Sequence, residues 1–218
     1  VTVGTGIGGG LVVGGALYGS ERTARPGGPP PATCEIGHLR PGPDAESPQE
    51  TVESIASGLG METRARRLLA AEAADPEQSD ARFDLLSRCG TPEALSAEHL
   101  AEAALDGNEL ALAIIGDAVR TLGWAIAQVI TLLAPDVVVV GGGVSMMPAS
   151  LFWQPLRDHV ATYVFPPLRE HAILTRAALQ EAVVVHGALA LARNAASSGV
   201  TPDDGNTPYP RSTRRGGI

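Results

Sequence analysis

The sequence predicts an α/β protein, a class indicated by three features of the chain. A glycine-rich stretch, residues 4–10, lies between short β-prone segments near the N-terminus. The apolar segment from Glu109 to Leu133 is long enough for a helix of several turns, and four consecutive valines, residues 137–140, follow it. Such a valine run is typical of a strand buried on both faces of a sheet that helices cover. We therefore expect a mixed sheet with an N-terminal β-hairpin and flanking helices.

The N-terminal glycines allow two functional interpretations. Gly4, Gly6 and Gly9 satisfy the G-x-G-x-x-G dinucleotide-binding pattern, which requires a strand before the loop and a helix after it. The segment Leu11 to Tyr18 instead predicts a strand, a Gly-Gly turn and a return strand, because glycine takes positive φ at both turn positions. This order favours a phosphate-binding hairpin, in which backbone N–H groups and the hydroxyl of Thr5 face phosphate oxygens. A glycine-rich hairpin without a ligand is the alternative.

Loops rich in proline and glycine separate the next elements. Residues 20–31 and 41–49 predict loops, and Thr33 to Arg40 between them predicts a third strand. The segment from Thr51 to Ala74 has the apolar spacing of a helix. Residues 75–92 predict a short helix with capping turns.

The second half of the chain has clearer signals. Ser96 is expected to be the N-cap of a helix, because a serine hydroxyl accepts a hydrogen bond from a first-turn N–H group. After the valine strand come Gly141, Gly142, Gly143, Val144 and Ser145, at the carboxyl end of the strand, where open α/β sheets bind ligands. The remaining elements are a helix at residues 151–164, a strand at 172–177 and a helix at 183–196.

Composition excludes several functional classes. Of the 218 residues, 44% are hydrophobic and 18% are charged, as in globular proteins. The formal net charge of −8 argues against nucleic-acid binding, since it leaves no basic stripe for phosphates. Cys34 and Cys89 are far apart and form no C-x-x-C pattern, which favours a reducing cytoplasm. We expect one folded lobe over residues 1–196 and a disordered tail over residues 197–218, because the tail has almost no apolar content.

The sequence predicts no membrane association. The longest uncharged apolar stretch, Thr121 to Pro135, is about fifteen residues long, and a bilayer-spanning helix needs about twenty. The N-terminus lacks a basic segment and a small-residue cleavage site. A cytoplasmic protein with a buried core helix is therefore expected.

Four segments together resemble the repressor, open-reading-frame and kinase (ROK) family of sugar kinases over about residues 1–195. They are the glycine loop 4–10, Glu35-Ile36-Gly37-His38, Glu53-Ser54-Ile55-Ala56-Ser57-Gly58, and the strand and glycines from Val137 to Ser145. Their order matches that of the family. The resemblance implies the C-terminal lobe of an actin-like ATPase (ribonuclease H-like) fold.

The resemblance also implies a site for ATP with Mg2+ and for a hexose, as in a glucokinase. Nucleotide-binding positions would be Gly4, Thr5, Gly6, Gly141, Gly142, Gly143 and Ser145. Sugar-binding positions would be Glu35, His38 and Glu53. A carboxylate accepts from two neighbouring hydroxyls, and an imidazole held in one tautomer is a second suitable partner. Taken singly, Glu35 and His38 could be an edge-strand pair, and Glu53 an ordinary first-turn acid of a helix.

One departure from the family concerns zinc. Family members commonly hold a structural zinc through a histidine at the position of His38 and three cysteines. Here Asp44, Glu46 and Thr51 stand where those cysteines would be. Zinc in closed sites prefers thiolate and imidazole, so we expect no zinc and no other protein-bound metal.

A second departure concerns catalysis. Phosphoryl transfer needs a carboxylate to accept the proton of the substrate hydroxyl. In the family this aspartate belongs to an N-terminal lobe, and nothing in residues 1–218 matches it. We therefore expect no catalytic residue in this chain and no turnover by the chain alone, with a gene fragment or a mis-called start codon as the favoured explanation. A non-catalytic sugar-binding pseudokinase or split subunit, a sugar-responsive transcriptional regulator and a homodimeric assembly stay open.

Overall fold

The computed structural model describes residues 1–18, 34–42, 45, 47–71, 76–179 and 182–197. Contacts divide the chain into two compact units, Val1–Glu181 and Ala182–Ile218. The second unit contains helix α7, Val183–Ser197, which confirms the last predicted helix. The predicted loop at residues 20–31 and, after Ser197, the predicted disordered tail lie outside the described residues.

The strands of the first unit form small two-stranded sheets, antiparallel and parallel, so the predicted mixture of strand directions is present. Strand β1, Thr2–Val3, pairs antiparallel with β2, Ile7–Gly8. A parallel bridge from Thr2 to Gly141 then connects β1 to the end of β5, Val138–Val140. β5 pairs in parallel with β6, Leu174–Arg176. The order β2, β1, β5, β6 therefore places the first glycine turn beside the glycines that follow β5.

The predicted Gly-Gly hairpin is also present. Strand β3, Val12–Val13, pairs antiparallel with β4, Ala16–Leu17. Between them Gly14 and Gly15 have φ values of 58° and 81°, a left-handed conformation that glycine adopts without steric cost.

The helices begin and end where local sequence favours it. The predicted helical segment from Thr51 is divided at Ser57, whose extended backbone ends one helix and whose hydroxyl caps the next by accepting from Gly60 N–H. Ser96 is confirmed as an N-cap, with its hydroxyl accepting from His99 N–H. The helices of the first unit are α1 (Val52–Ala56), α2 (Gly58–Ala70), α3 (Pro76–Cys89), α4 (Ala97–Leu105), α5 (Glu109–Leu133) and α6 (Trp153–Tyr163).

Helix α5 is the centre of the core. It contacts α1, α2, α4 and α6 and buries Ile114, Ile115, Leu122 and Ile126 almost completely. By length and composition alone α5 could cross a membrane, but more than half of its most apolar window is buried inside the protein. A core helix has the same composition, so this finding is compatible with the predicted buried helix.

The predicted third strand, Thr33 to Arg40, is wrong. Its central residues Ile36–His38 form a short 3-10 helix instead. Cys34 precedes it with a φ of 62°, which reverses the chain, and Ile36 is buried. A side chain at position 37 would collide with the carbonyl of Ile7, so Gly37 permits this close packing on β2.

The prediction that the valine strand is buried on both faces is also wrong. Val138 and Val140 are buried in the core, whereas Val139 is 43% exposed. Successive side chains of a strand point to opposite faces, and the helical core of the first unit covers the face of Val138 and Val140.

Candidate functional site

A cavity of about 630 Å³ lies between the two glycine turns and helices α2 and α4. Gly4 and Thr5 contribute to it from the β1–β2 turn, and Gly143 contributes from the turn after β5. Its volume is in the range of small-molecule sites. The other lining residues are Gly58, Leu59, Glu62, Ser96, Ala97, Glu98, Ala101, Glu102, Leu105, Val144, Met146, Met147 and Pro148.

The β1–β2 turn is held by its own carbonyl groups. Gly4 N–H donates to the carbonyl of Gly6 at 2.9 Å, and the carbonyl of Gly4 accepts from Gly58 N–H at 2.7 Å. The carbonyl of Thr5 accepts from Leu59 N–H at 3.4 Å. The first N–H groups of α2, which lack partners within a helix, are therefore satisfied by the turn and by Ser57.

Thr5 is the polar side chain that the β1–β2 turn presents to the cavity. It is exposed, and within the described part of the chain its hydroxyl and its N–H donate to no protein acceptor. Both groups can donate to an anion in the cavity. Gly6, the third predicted residue of this turn, does not line the cavity.

The glycines after β5 differ in whether the backbone requires a glycine at their position. Gly142 has a φ of 92°, and a Cβ there would lie 2.5 Å from the carbonyl oxygen of Val3, so glycine is required by the backbone. Gly143 has no atom within 4 Å of the position that a Cβ would take, and it lines the cavity. Of the predicted residues in this turn, Gly143 is thus the one that the structure places at the cavity.

The other predicted residues of this turn support it. The hydroxyl of Ser145 donates to the carbonyl of Gly142 at 2.6 Å, and the buried indole N–H of Trp153 donates to the carbonyl of Ser145 at 2.9 Å. Gly141, Gly142 and Ser145 line a second cavity of about 260 Å³, beside Arg176. The hydrogen bond from Trp153 to Ser145 was not predicted from the sequence, because no local pattern connects Trp153 to the glycines.

Helices α2 and α4 form walls that the sequence analysis missed. Leu59 and Leu105 give apolar surface, and Glu62 gives a carboxylate. Glu62 accepts from Ala97 N–H at 3.1 Å through Oε1 and pairs with Arg66 at 3.0 Å through Oε2. This carboxylate therefore fastens the start of α4 to α2. Helical periodicity identified α2 as a helix, but only packing shows which of its faces meets α4.

Glu53 on α1 lies against the β1–β2 turn. Its Oε2 accepts from Ile7 N–H at 2.6 Å. Helix α1 is fixed by a capping box between Thr51 and Ser54 and by a hydrogen bond from Val52 N–H to the carbonyl of Leu39. The position of Glu53 relative to β2 is therefore well defined.

The other two predicted sugar residues lie on the neighbouring segment. Glu35 directly precedes the 3-10 helix Ile36–His38, and His38 ends it; both side chains are exposed. This helix packs on both α1 and β2. The structure therefore brings together the two segments that carry Glu35, His38 and Glu53, beside β2.

No group of three or more His, Cys, Asp or Glu side chains within the described residues could hold a metal ion. Asp44 and Glu46 lie outside those residues. Thr51 uses its hydroxyl to accept from Ser54 N–H as the cap of α1. The absence of zinc stays a prediction.

The mixed sheet and its helices define a lobe of the actin-like ATPase fold, the fold of the ROK sugar kinases among the solved structures that it resembles. The ROK family model matches residues 1–195, and the chain belongs to the ROK family.

Individual relatives are kinases of sugars. The glucokinase of Thermotoga maritima is 34% identical over 166 residues, which are 76% of this chain and 48% of that enzyme. A ROK family glucokinase from Streptomyces griseus, solved in complex with glucose and AMPPNP, has a TM-score of 0.69 at 29% identity. The match covers 88% of this chain and 59% of the glucokinase chain. The ROK hexokinase of Thermus thermophilus has a TM-score of 0.58 at 27% identity. The match covers 83% of this chain and 51% of the hexokinase chain. The chain thus spans about half the length of the curated relatives it matches, 48% in two of them.

Proposed function

We propose that the chain is the C-terminal, nucleotide- and sugar-binding part of a cytoplasmic, glucokinase-like hexose kinase that uses ATP with Mg2+. The similarity to glucokinases, one of them solved with glucose and AMPPNP, supports this function. A regulator is not favoured, because the glucokinases are 29–34% identical to this chain, whereas a putative xylose repressor is 26% identical. The observation that carries the proposal is that Gly4, Thr5 and Gly143 meet in one cavity.

In this proposal ATP occupies the cavity between the glycine turns. The phosphates lie at Thr5, where an N–H and a hydroxyl can donate to anionic oxygens. The adenosine lies against Leu105 and Met147, and nearby carboxylates such as Glu102 can accept from ribose or amino groups. Gly143 leaves the space that the ligand needs, since nothing in the protein fills its side-chain position.

The metal and the sugar occupy neighbouring positions. Mg2+ would bind through phosphate oxygens and waters together with one or two carboxylates. Glu35, His38 and Glu53 orient hexose hydroxyls. The aspartate that accepts the hydroxyl proton in the family has no match in this chain, so we propose that the chain binds both ligands without turnover.

Titration with AMPPNP in the presence of Mg2+ tests the nucleotide site. We expect saturable binding in a calorimeter, and we expect Thr5→Ala to raise the Kd about tenfold or more, because a hydrogen bond to a charged group contributes about 1.5–3 kcal/mol. Thr162→Ala, an exposed change on α6 far along the chain, is the matched control. An unchanged Kd in Thr5→Ala would remove Thr5 from the site, and absent binding in the unaltered chain would overturn the proposed function.

A further inference from the structure

One carboxylate connects the two halves of the proposed site. Glu53 lies on α1 beside the segment that carries Glu35 and His38, and its Oε2 accepts from Ile7 N–H at 2.6 Å. Ile7 directly follows the β1–β2 turn that presents Thr5 to the cavity. The same side chain therefore lies at the sugar position and holds the backbone of the phosphate turn.

We propose that Glu53 couples sugar binding to nucleotide binding. Oε2 holds Ile7 N–H, and Oε1 accepts from a sugar hydroxyl. A bound sugar fixes the carboxylate, and the fixed carboxylate fixes the turn in the position that binds phosphate. This inference rests on the proposed function, because it assigns a hexose to Oε1.

The space around Gly6 supports this coupling. A Cβ at position 6 would lie 2.7 Å from Oε2 of Glu53 and 3.9 Å from its Oε1. The turn and the carboxylate are thus in direct contact, and the contact is made by the oxygen that already holds Ile7. A methyl group at position 6 would therefore displace the carboxylate of Glu53 from this position.

The rest of the turn is fixed to α2, which limits how it can respond. Gly58 N–H and Leu59 N–H donate to the carbonyls of Gly4 and Thr5. Ser57 separates α1 from α2 by one residue, so the elements that hold Glu53 and the turn are continuous in the chain. Coupling between two ligands is reciprocal, so the sugar must strengthen nucleotide binding by the same factor by which the nucleotide strengthens sugar binding.

A change in the phosphate turn should therefore weaken sugar binding when no nucleotide is present. Gly6→Ala adds a methyl group against Oε2 of Glu53 and should raise the Kd for D-glucose about fivefold or more. Gly116→Ala on α5 is the matched control, because no atom lies within 4 Å of its Cβ position and the residue lies outside the proposed site; its glucose Kd should stay within about twofold of the unaltered chain. Thermal unfolding of both variants checks that each is folded.

A second measurement isolates the coupling itself. The ratio of the glucose Kd without and with AMPPNP should be about fivefold or more in the unaltered chain. Glu53→Gln keeps the shape of the side chain but replaces one acceptor oxygen by an NH2 group. With its remaining oxygen on Ile7 N–H, it cannot accept from a sugar hydroxyl at the other position, and the ratio should fall towards one. His38→Ala should weaken glucose binding and keep the ratio.

Failure of the coupling and failure of the proposed function give different binding results. If glucose binds equally well to the unaltered chain, Gly6→Ala and Gly116→Ala, and Glu53→Gln keeps the ratio, the coupling is wrong while the sugar site stands. If AMPPNP binds and D-glucose does not bind the unaltered chain at any concentration tested, the sugar assignment of the proposed function fails and the coupling fails with it.

Discussion

Neighbouring glycines in the turn after β5 perform different tasks. Gly142 is required by its positive φ and by the carbonyl of Val3, which would lie 2.5 Å from an added Cβ. Gly143 meets neither constraint and lines the cavity. In the sequence the glycines at positions 141–143 look equivalent. The requirement for glycine at position 142 becomes visible only when the structure places β1 beside the turn.

Alanine substitutions at Gly142 and Gly143 should differ in their effects on stability and on AMPPNP binding. Gly142→Ala should lower the free energy of unfolding by about 2 kcal/mol or more, because it combines a strained backbone with a collision against β1. Gly143→Ala should change it by less than about 0.5 kcal/mol and should weaken AMPPNP binding. Urea unfolding and calorimetry measure the two effects. Equal loss of stability in both variants would contradict the distinction.

Asp84 on α3 should make stability depend on pH in the acid range. Hydrogen bonds from Arg88 and from Asn108, the N-cap of α5, hold the pKa of Asp84 below its ordinary value of 3.8. A carboxyl with a lowered folded pKa stabilises the protein above its unfolded pKa, and this contribution is lost as pH falls through the lowered value.

The matched variant for this effect is Asp84→Asn. Its unfolding free energy should be lower than that of the unaltered chain at pH 7, and the difference should shrink towards zero as pH falls through the lowered pKa of Asp84. Denaturant melts at a series of pH values measure it. Asp158→Asn, an exposed change on α6, is the control. A difference that is constant from pH 7 to pH 2 would exclude the ion pair as its cause.

The crossing of α5 and α6 depends on a single glycine. A Cβ at Gly123 would lie 2.6 Å from Cβ of His159 and 3.4 Å from the carbonyl oxygen of Leu156. These atoms are close to the α6 backbone and cannot rotate away. Gly116, two turns earlier on α5, is exposed and has no atom within 4 Å of its Cβ position.

The two glycines of α5 should therefore respond in opposite directions to alanine. Gly123→Ala should destabilise the protein by about 1–3 kcal/mol, because overpacking forces the helices apart. Gly116→Ala should stabilise it by about 0.5–1 kcal/mol, the usual gain of alanine over glycine inside a helix. Chemical denaturation of both variants measures this. A stabilising Gly123→Ala would mean that α6 does not approach α5 this closely.

Elements defined by local signals were predicted correctly, and those defined by distant contacts were not. The hydroxyl of Ser96 and the Gly14-Gly15 pair specify a helix start and a turn from neighbouring residues alone. The 3-10 helix at Ile36–His38 depends on β2 instead. A side chain at Gly9 would collide with the carbonyl of Cys34, so the two segments pack together only because position 9 is a glycine. No periodicity in residues 33–40 contains that information.

At the scale of the whole molecule, motifs identified the turns of the site and packing supplied its walls. Gly4, Thr5 and Gly143 belong to glycine patterns that the sequence displays, and all three line the cavity. Leu59 and Leu105 come from helices whose apolar faces are common to many proteins. Their place in the site follows from the packing of α2 and α4 against each other, to which Glu62 contributes by holding Ala97 N–H.

The proposed division between binding and catalysis gives a prediction for the whole molecule. A general base must be free to accept the hydroxyl proton within hydrogen-bond reach. The proposed function assigns this role to no residue of the chain, and Glu62 at the cavity is engaged by Ala97 N–H and Arg66. With ATP, Mg2+ and D-glucose, the 218-residue chain should therefore form no sugar phosphate above the blank. Binding of AMPPNP in the same preparation is the control. Steady product formation would mean that a carboxylate of this chain acts as the base.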